Sequence, residues 1–153
     1  MSTYKIHDLI GRRAWEYRDE ETGDDLFVLR LTDGNIFRFY HIQDCCESVY
    51  LADIVGDLDD LLGAEILDAE ETIDSGSNGN YGSYTWTFYR IQTTKGHLTI
   101  RFNGESNGYY SESVNYSLEE DPDRAGYSLY KKELLDKMTA GRREVDTPNA
   151  RRM

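Results

Sequence analysis

Two apolar runs on either side of Asp33-Gly34 restrict this chain to folds that contain an antiparallel hairpin. The runs Leu26–Leu31 and Ile36–Tyr40 are rich in the apolar and aromatic residues that strands favour, and Asp-Gly is a common turn sequence. A slip of one residue between two such strands moves every side chain to the opposite face of the sheet. The pattern therefore also predicts the register of the hairpin.

The pairing of large apolar side chains selects the loop of this hairpin. A two-residue loop places Phe39 opposite Val28. A bulged loop of Thr32-Asp33-Gly34 instead pairs large apolar residues with one another: Phe27 with Phe39, and Leu29 with Phe37. We predict the bulged loop, which leaves Arg38 and Tyr40 on the other face of the strand.

The segment after this hairpin predicts one long helix. Apolar residues recur at helical spacing over Ser48–Leu62, and aspartates fill much of the remainder. Ser48 or Glu47 is placed to cap the first turn, and Gly63 ends the segment. The apolar side of such a helix packs on a sheet.

Further strands are predicted on the C-terminal side of the helix. The segments are a strand at Ala64–Ile73, a flexible loop at Asp74–Ser83, a hairpin of Tyr84–Thr93 and His97–Asn103, and a last strand at Tyr109–Tyr116. A two-residue turn at Lys95-Gly96 pairs Ile91 with Ile100 and Tyr89 with Phe102. The sequence therefore predicts an α+β fold, with about five to six antiparallel strands in the order ββαβ plus a three-stranded meander, and one main helix packed on the sheet.

The composition of the chain changes near residue 118. Glu119–Arg124 is a charged break, and apolar residues at helical spacing over Tyr127–Ala140 predict a C-terminal helix. We therefore predict a single α+β domain over residues 1–118 and a charged extension over residues 119–153, partly helical with a frayed end.

The net charge of −12 limits the partners of this chain. Such an acidic chain is repelled by phosphates, so we expect no direct binding of nucleic acid. No run of about 18 apolar residues is present for a membrane span, and Met1–Arg13 lacks the apolar core of a signal peptide. Cys45 and Cys46 are neighbours that staple no distant segments together, which predicts two free thiols in a reducing cytoplasm.

The densest run of polar chemistry is His41–Val49. A zinc site needs side chains that converge, usually from spaced pairs, whereas adjacent cysteines on an extended chain point in opposite directions. Carboxylates around Cys45 and Cys46 disfavour a reactive thiolate. The chain contains no common phosphate-loop or hydrolase motif. We therefore expect no metal, no cofactor and no catalytic residue, and we favour a binding role over catalysis.

Four blocks of this sequence resemble a family of small uncharacterised proteins found mainly in bacteriophage genomes and in some bacteria. The blocks are His41–Val49, Asp53–Leu58, Tyr84–Tyr89 and Ser106–Val114. The resemblance covers roughly residues 25–117 and brings no known activity with it. It implies an accessory phage protein in the cytoplasm of an infected bacterium. In that setting, small proteins often block host defence by binding a partner or by capturing a nucleotide-derived signal.

The leading functional prediction is the capture of a small anionic, nucleotide-like ligand without chemistry. Arginine binds phosphate through two parallel hydrogen bonds, and aromatic side chains stack on bases. The expected ligand-binding residues are Arg38, Tyr40, His41, Gln43, Asp44, Tyr84, Trp86, Arg101, Tyr109, Tyr110 and Ser111. The same residues also fit a structural interpretation, in which the arginines pair with carboxylates and the tyrosines cover a sheet.

A carboxylate-rich band gives the alternative function. The band comprises Asp57, Asp59, Asp60, Glu65, Asp68, Glu70, Glu71 and Asp74. Such a band can imitate a DNA backbone and occupy a host defence protein or a nucleic-acid-processing protein, or it can simply keep the chain soluble. The expected partner is therefore a small ligand or a host protein, and we also expect a homo-oligomer.

Overall fold

The computed structural model describes residues 5–77, 79, 82–122 and 132. The chain divides into two compact units, Met1–Glu120 and Asp121–Met153, and all the elements below belong to the first unit. The helix predicted over residues 127–140 lies outside the described residues, apart from Lys132.

Two four-stranded antiparallel sheets make up the first unit. Sheet I contains β1 (Ala14–Arg18), β2 (Asp25–Leu31), β3 (Asn35–Tyr40) and β8 (Asn115–Glu120), in the order β1-β2-β3-β8. Sheet II contains β4 (Ser48–Val55), β5 (Ile66–Ser77), β6 (Ser83–Thr93) and β7 (His97–Ser106), in the order β4-β7-β6-β5. Two 3₁₀ turns, Ile6–Leu9 and Leu58–Leu61, accompany the strands. No helix among the described residues is long and apolar enough to cross a membrane.

The two sheets pack against each other through an aromatic core. The ring centroid of Phe39 on β3 lies 4.8 Å from that of Tyr89 on β6 and 5.7 Å from that of Phe102 on β7. These side chains are fully buried, as are those of Phe27 and Phe37. Burial of one such side chain stabilises a fold by roughly 1.5–3 kcal/mol. The faces that point away from this core are called the outer faces below.

The register predicted for the first hairpin is confirmed. Phe27 pairs with Phe39 and Leu29 pairs with Phe37, across a loop of residues 32–34. Gly34 in that loop has a φ of +89°, which favours glycine.

The predicted α+β fold with a main helix is wrong, because the described unit is nearly all antiparallel sheet. Residues assigned to the helix form strand β4 and the 3₁₀ turn at Leu58–Leu61. A bulge lies between Leu51 and Asp53, so Ile54 packs on the same core as Leu51 although it stands three positions further along the strand. This spacing imitates the period of a helix. Gly56, with a φ of +116°, ends the strand and is incompatible with a continuous helix.

Three other strand predictions need correction. The Gly- and Ser-rich segment predicted as a loop largely extends β5 and β6 into a long hairpin. The last strand begins at Asn115, and it pairs with β3 of sheet I rather than extending the meander. In the β6–β7 hairpin, Ile91 pairs with Leu98 and Tyr89 pairs with Ile100, a shift of two residues from the predicted register.

Candidate functional site

The polar block after β3 is organised around the carboxylate of Glu47. This carboxylate accepts hydrogen bonds from the backbone N–H groups of Asp44 and Cys45, at 2.8 and 2.9 Å, and it lies 2.8 Å from Nε2 of His41. The side chain of Glu47 is shielded from solvent. The backbone donors of Asp44 and Cys45 outweigh the effect of burial and lower the pKa of Glu47 to about 2.

His41 links this cluster to a distant part of the chain. Its Nδ1 lies 2.8 Å from the carbonyl oxygen of Ser113, and its Nε2 faces the ionised carboxylate of Glu47. Both neighbours are acceptors, so the two hydrogen bonds form together only when the ring is protonated. Gln43 donates to the carbonyl oxygen of Cys45 at 3.1 Å. The polar density that predicted a ligand site in this block is therefore used within the protein, to fix the loop that follows β3.

Cys45 and Cys46 are joined in a disulfide in this structure, with an S–S distance of 2.05 Å. The prediction of two free thiols is therefore wrong here. Because the two residues are sequence neighbours, their disulfide closes no loop of chain.

The two predicted arginines lie on different outer faces. Arg38 on sheet I donates from Nε to Asp25 at 2.8 Å, and its guanidinium lies 5.5 Å from the ring centroid of Tyr40. Arg101 on sheet II forms a two-pronged ion pair with Asp53 and lowers the pKa of that carboxyl. The two arginines therefore do not converge on one anion, and each already binds a carboxylate.

An aromatic pocket lies on the outer face of sheet II. It has a volume of about 230 Å³ and is called the outer-face pocket below; its lining residues are Tyr50, Tyr84, Trp86, Asn103 and Glu105. The strand register explains why they meet. Asn103 on β7 pairs with Tyr50 on β4 and with Trp86 on β6, and Glu105 pairs with Tyr84. Alternate residues of a strand share a face, so these five side chains stand together.

Asn103 is the unusual member of the outer-face pocket. It is 2% exposed, and within the described ranges its Oδ1 atom has no hydrogen-bond partner. Leaving such a buried acceptor unsatisfied costs about 1–3 kcal/mol. A stable fold rarely carries that cost without a reason, so Asn103 marks the pocket as a candidate ligand site.

A second pocket of about 370 Å³ also has Tyr84 among its lining residues. Gly76, Tyr110 and Glu112 are among its lining residues. Burial opposes ionisation of Glu112, but the hydroxyl groups of Ser106, Ser83 and Thr85 donate to its carboxylate and lower its pKa. The crossover segment, residues 107–114, is thereby tied to sheet II.

The structure brings some of the predicted site residues together and separates the others. Tyr84, Trp86 and Arg101 share the outer face of sheet II, where the guanidinium of Arg101 lies 5.8 Å from the ring centroid of Trp86. The remaining predicted residues lie elsewhere: Arg38 and Tyr40 on sheet I, His41, Gln43 and Asp44 around Glu47, and Tyr109 and Ser111 in the crossover segment. Tyr110, also in the crossover segment, lines the second pocket together with Tyr84. Tyr109 is 82% exposed.

Sequence reasoning missed Tyr50, Asn103 and Glu105. Asn103 and Glu105 follow Arg101 at alternate positions of β7, so the strand pattern alone could have placed them on the face of Arg101. Tyr50 could not be placed, because its segment was assigned to a helix.

The fold and the site define a two-sheet antiparallel β protein with an aromatic pocket on one outer face. The chain belongs to DUF7448, a domain of unknown function, whose family model matches residues 7–116. The matched range includes every residue of the outer-face pocket. The expected membership of an uncharacterised family is thus confirmed. No curated protein and no solved structure matches the chain.

Proposed function

We propose that this protein binds a small nucleotide-like ligand in the outer-face pocket and carries out no chemistry on it. The observation that supports this function is the unpartnered Oδ1 atom of Asn103, in a pocket lined by three aromatic side chains. Stacking of a base on one aromatic side chain contributes about 1–3 kcal/mol. A base therefore satisfies both features of the pocket, since it offers a flat ring and an edge with polar groups.

The ligand enters by its base rather than by a phosphate. The cation closest in the register to Trp86 is Arg101, and Asp53 already binds it. Glu105 lines the pocket with a negatively charged carboxylate, whereas a phosphate needs a positively charged partner. The pocket therefore favours an uncharged base more than the negatively charged part of a nucleotide.

The biological setting of this proposal rests on the resemblance described above. In that setting the protein acts in the cytoplasm of a bacterial cell during phage infection and removes a nucleotide-derived signal of host defence. Sequestration without catalysis needs one binding site for each ligand molecule that is removed. The proposal therefore includes a homo-oligomer with one outer-face pocket per subunit.

Native mass spectrometry and titration calorimetry with a panel of nucleosides and nucleotides test the proposal. We expect a bound adduct with the wild-type protein and an affinity at least about tenfold lower in Trp86→Ala, because that variant loses the stacking surface. Tyr40→Ala is the matched control, since it removes an aromatic ring from the outer face of sheet I. Absence of binding across the whole panel, or equal losses in both variants, would contradict the proposal.

A second candidate function is inhibition of a host defence or nucleic-acid-processing protein by the acidic band. The observation that favours it is the exposure of Asp68, Glu70 and Asp74 on β5, which is an edge strand of sheet II. Charged side chains also protect edge strands from pairing with other chains. The triple variant D68N/E70Q/D74N separates the two functions. It should lose a protein partner and retain nucleoside binding, whereas Trp86→Ala should do the reverse.

A further inference from the structure

Two hydrogen-bond acceptors of the outer-face pocket lack partners among the described residues. The Oδ1 atom of Asn103 is one of them. The other is the exposed carboxylate of Glu105, which forms no hydrogen bond or ion pair with the rest of the described chain. An ionised carboxylate accepts hydrogen bonds and does not donate them. A ligand that satisfies both groups must therefore bring hydrogen-bond donors.

The register aligns these acceptors beside the aromatic rings. Asn103 and Glu105 are alternate residues of β7, about 6.7 Å apart along the strand. On the neighbouring strand β6, Trp86 is paired with Asn103 and Tyr84 with Glu105. A base that stacks on the β6 rings consequently presents its edge to the acceptors of β7.

We infer that the outer-face pocket selects bases whose edge carries an amino group, and guanine above the others; this inference rests on the proposed function. Guanine has a ring N–H next to an amino group, and this pair of donors matches the two oxygens of the Glu105 carboxylate as a guanidinium does. Adenine and cytosine each offer an amino group without the adjacent ring N–H. Uracil offers a single N–H between two carbonyl oxygens, which the carboxylate repels.

The charges around the pocket add a second discriminating feature. Asp74 on β5 pairs with Trp86, and Glu105 lines the pocket, while Arg101 is held by Asp53. A phosphate on the ligand therefore approaches two carboxylates, while the cation nearest to Trp86 in the described register, Arg101, is already paired with Asp53. Guanosine should bind at least as tightly as guanosine monophosphate.

Access to Asn103 requires a side chain to move. Its Oδ1 atom is shielded from solvent in this structure. Tyr50 lies on the edge strand β4, is 39% exposed and pairs directly with Asn103. Rotation of the Tyr50 ring opens the path for the edge of the base, and the ring then covers the bound ligand.

Calorimetric titration with guanosine, inosine, adenosine, uridine and guanosine monophosphate tests the inference. Inosine is guanosine without the amino group. We expect guanosine to bind about tenfold or more tightly than inosine, because a hydrogen bond to a charged group is lost. Glu105→Gln should weaken guanosine binding about tenfold and narrow its difference from inosine. Glu119→Gln, an exposed carboxylate on sheet I, is the matched control.

The outcomes separate this inference from the proposed function. Equal affinities for guanosine, inosine and uridine would overturn the inference and leave nucleoside binding in place. Tighter binding of the monophosphate than of guanosine would overturn it as well. Absence of binding by all five compounds would instead contradict the proposed function itself. Because Glu105 is exposed and without partners in the described chain, the Glu105→Gln variant is expected to fold normally.

Discussion

The Glu47 carboxylate lies 2.8 Å from Nε2 of His41, and both side chains are almost completely shielded from solvent. The other nitrogen of the same ring bonds the backbone of Ser113, just before β8. Glu47 directly precedes β4 of sheet II, whereas β8 belongs to sheet I. One imidazole therefore joins the two sheets by polar bonds, in addition to the apolar packing of their inner faces.

Acid should weaken the fold through Glu47. The pKa of Glu47 is lowered from the ordinary 4.5 to about 2 in the folded protein. A lowered folded-state pKa stabilises the protein above the unfolded-state value, and this contribution is lost as the pH falls from 4.5 towards 2. Urea denaturation over this range should show a falling midpoint in the wild type and a shallower dependence in Glu47→Gln. Glu105→Gln, an exposed carboxylate, should keep the wild-type slope; equal slopes in all three proteins would refute the assignment.

Asn103→Leu should separate stability from binding. Leucine has a similar size and removes the unpartnered acceptor, so we expect the free energy of unfolding to rise by about 1 kcal/mol. Under the proposed function, the same variant should also lose affinity for guanosine. Chemical denaturation and calorimetry on one preparation measure both quantities. A less stable Asn103→Leu variant with unchanged ligand affinity would show that Asn103 has a structural role.

Gly56→Ala distinguishes the observed strand from the predicted helix. Inside a helix, this substitution stabilises by about 1 kcal/mol. In the structure, the added Cβ atom would lie 2.8 Å from Cβ of Leu98, at a φ of +116°. We therefore expect destabilisation of more than about 1 kcal/mol. Gly108→Ala is the control, because Gly108 also has a positive φ but has open space around its Cβ position. A gain in thermal stability in Gly56→Ala would favour the helix.

Phe39→Ala should destabilise the whole unit. Phe39 contacts aromatic rings of both sheets and is fully buried, so the expected loss is about 3–5 kcal/mol. Tyr109→Ala removes a ring that is 82% exposed, and its effect should stay within about 0.5 kcal/mol. Thermal denaturation followed by near-ultraviolet circular dichroism compares the two variants. Similar losses in both would mean that the sheets do not pack through Phe39.

The two hairpins show which part of a register can be predicted from sequence. In the first, the alternative to the correct pairing was a slip of one residue, which would have turned Phe39 towards the wrong face. In the second, the error was a shift of two residues, which leaves Tyr89 and Ile91 on the core face in both registers. The backbone bond from Thr93 to Gly96 decides the second loop, and apolar patterning contains no information about it.

The site was partly predictable for a similar reason. Tyr84 and Trp86 were found because aromatic residues at alternate positions of a strand stand out in the sequence. Asn103 stands out because its Oδ1 atom is buried and has no hydrogen-bond partner among the described residues, and only the packed structure shows this. The block around Glu47 was predicted to contain ligand-binding residues. In the structure its polar groups instead form hydrogen bonds with one another and with the backbone.

Gly76 does not line the outer-face pocket, but the position of the Tyr84 ring in that pocket depends on it. A Cβ atom at position 76 would lie 2.6 Å from the hydroxyl oxygen and 2.8 Å from the adjoining ring carbon of Tyr84, so any larger residue must push that ring aside. The side chain of Tyr84 lines both pockets. In related sequences, positions 76 and 84 are therefore expected to vary as a pair, with a bulkier residue at the first accompanied by a smaller one at the second. A single methyl group on β5 is then enough to reshape the wall that the neighbouring strand gives to the outer-face pocket.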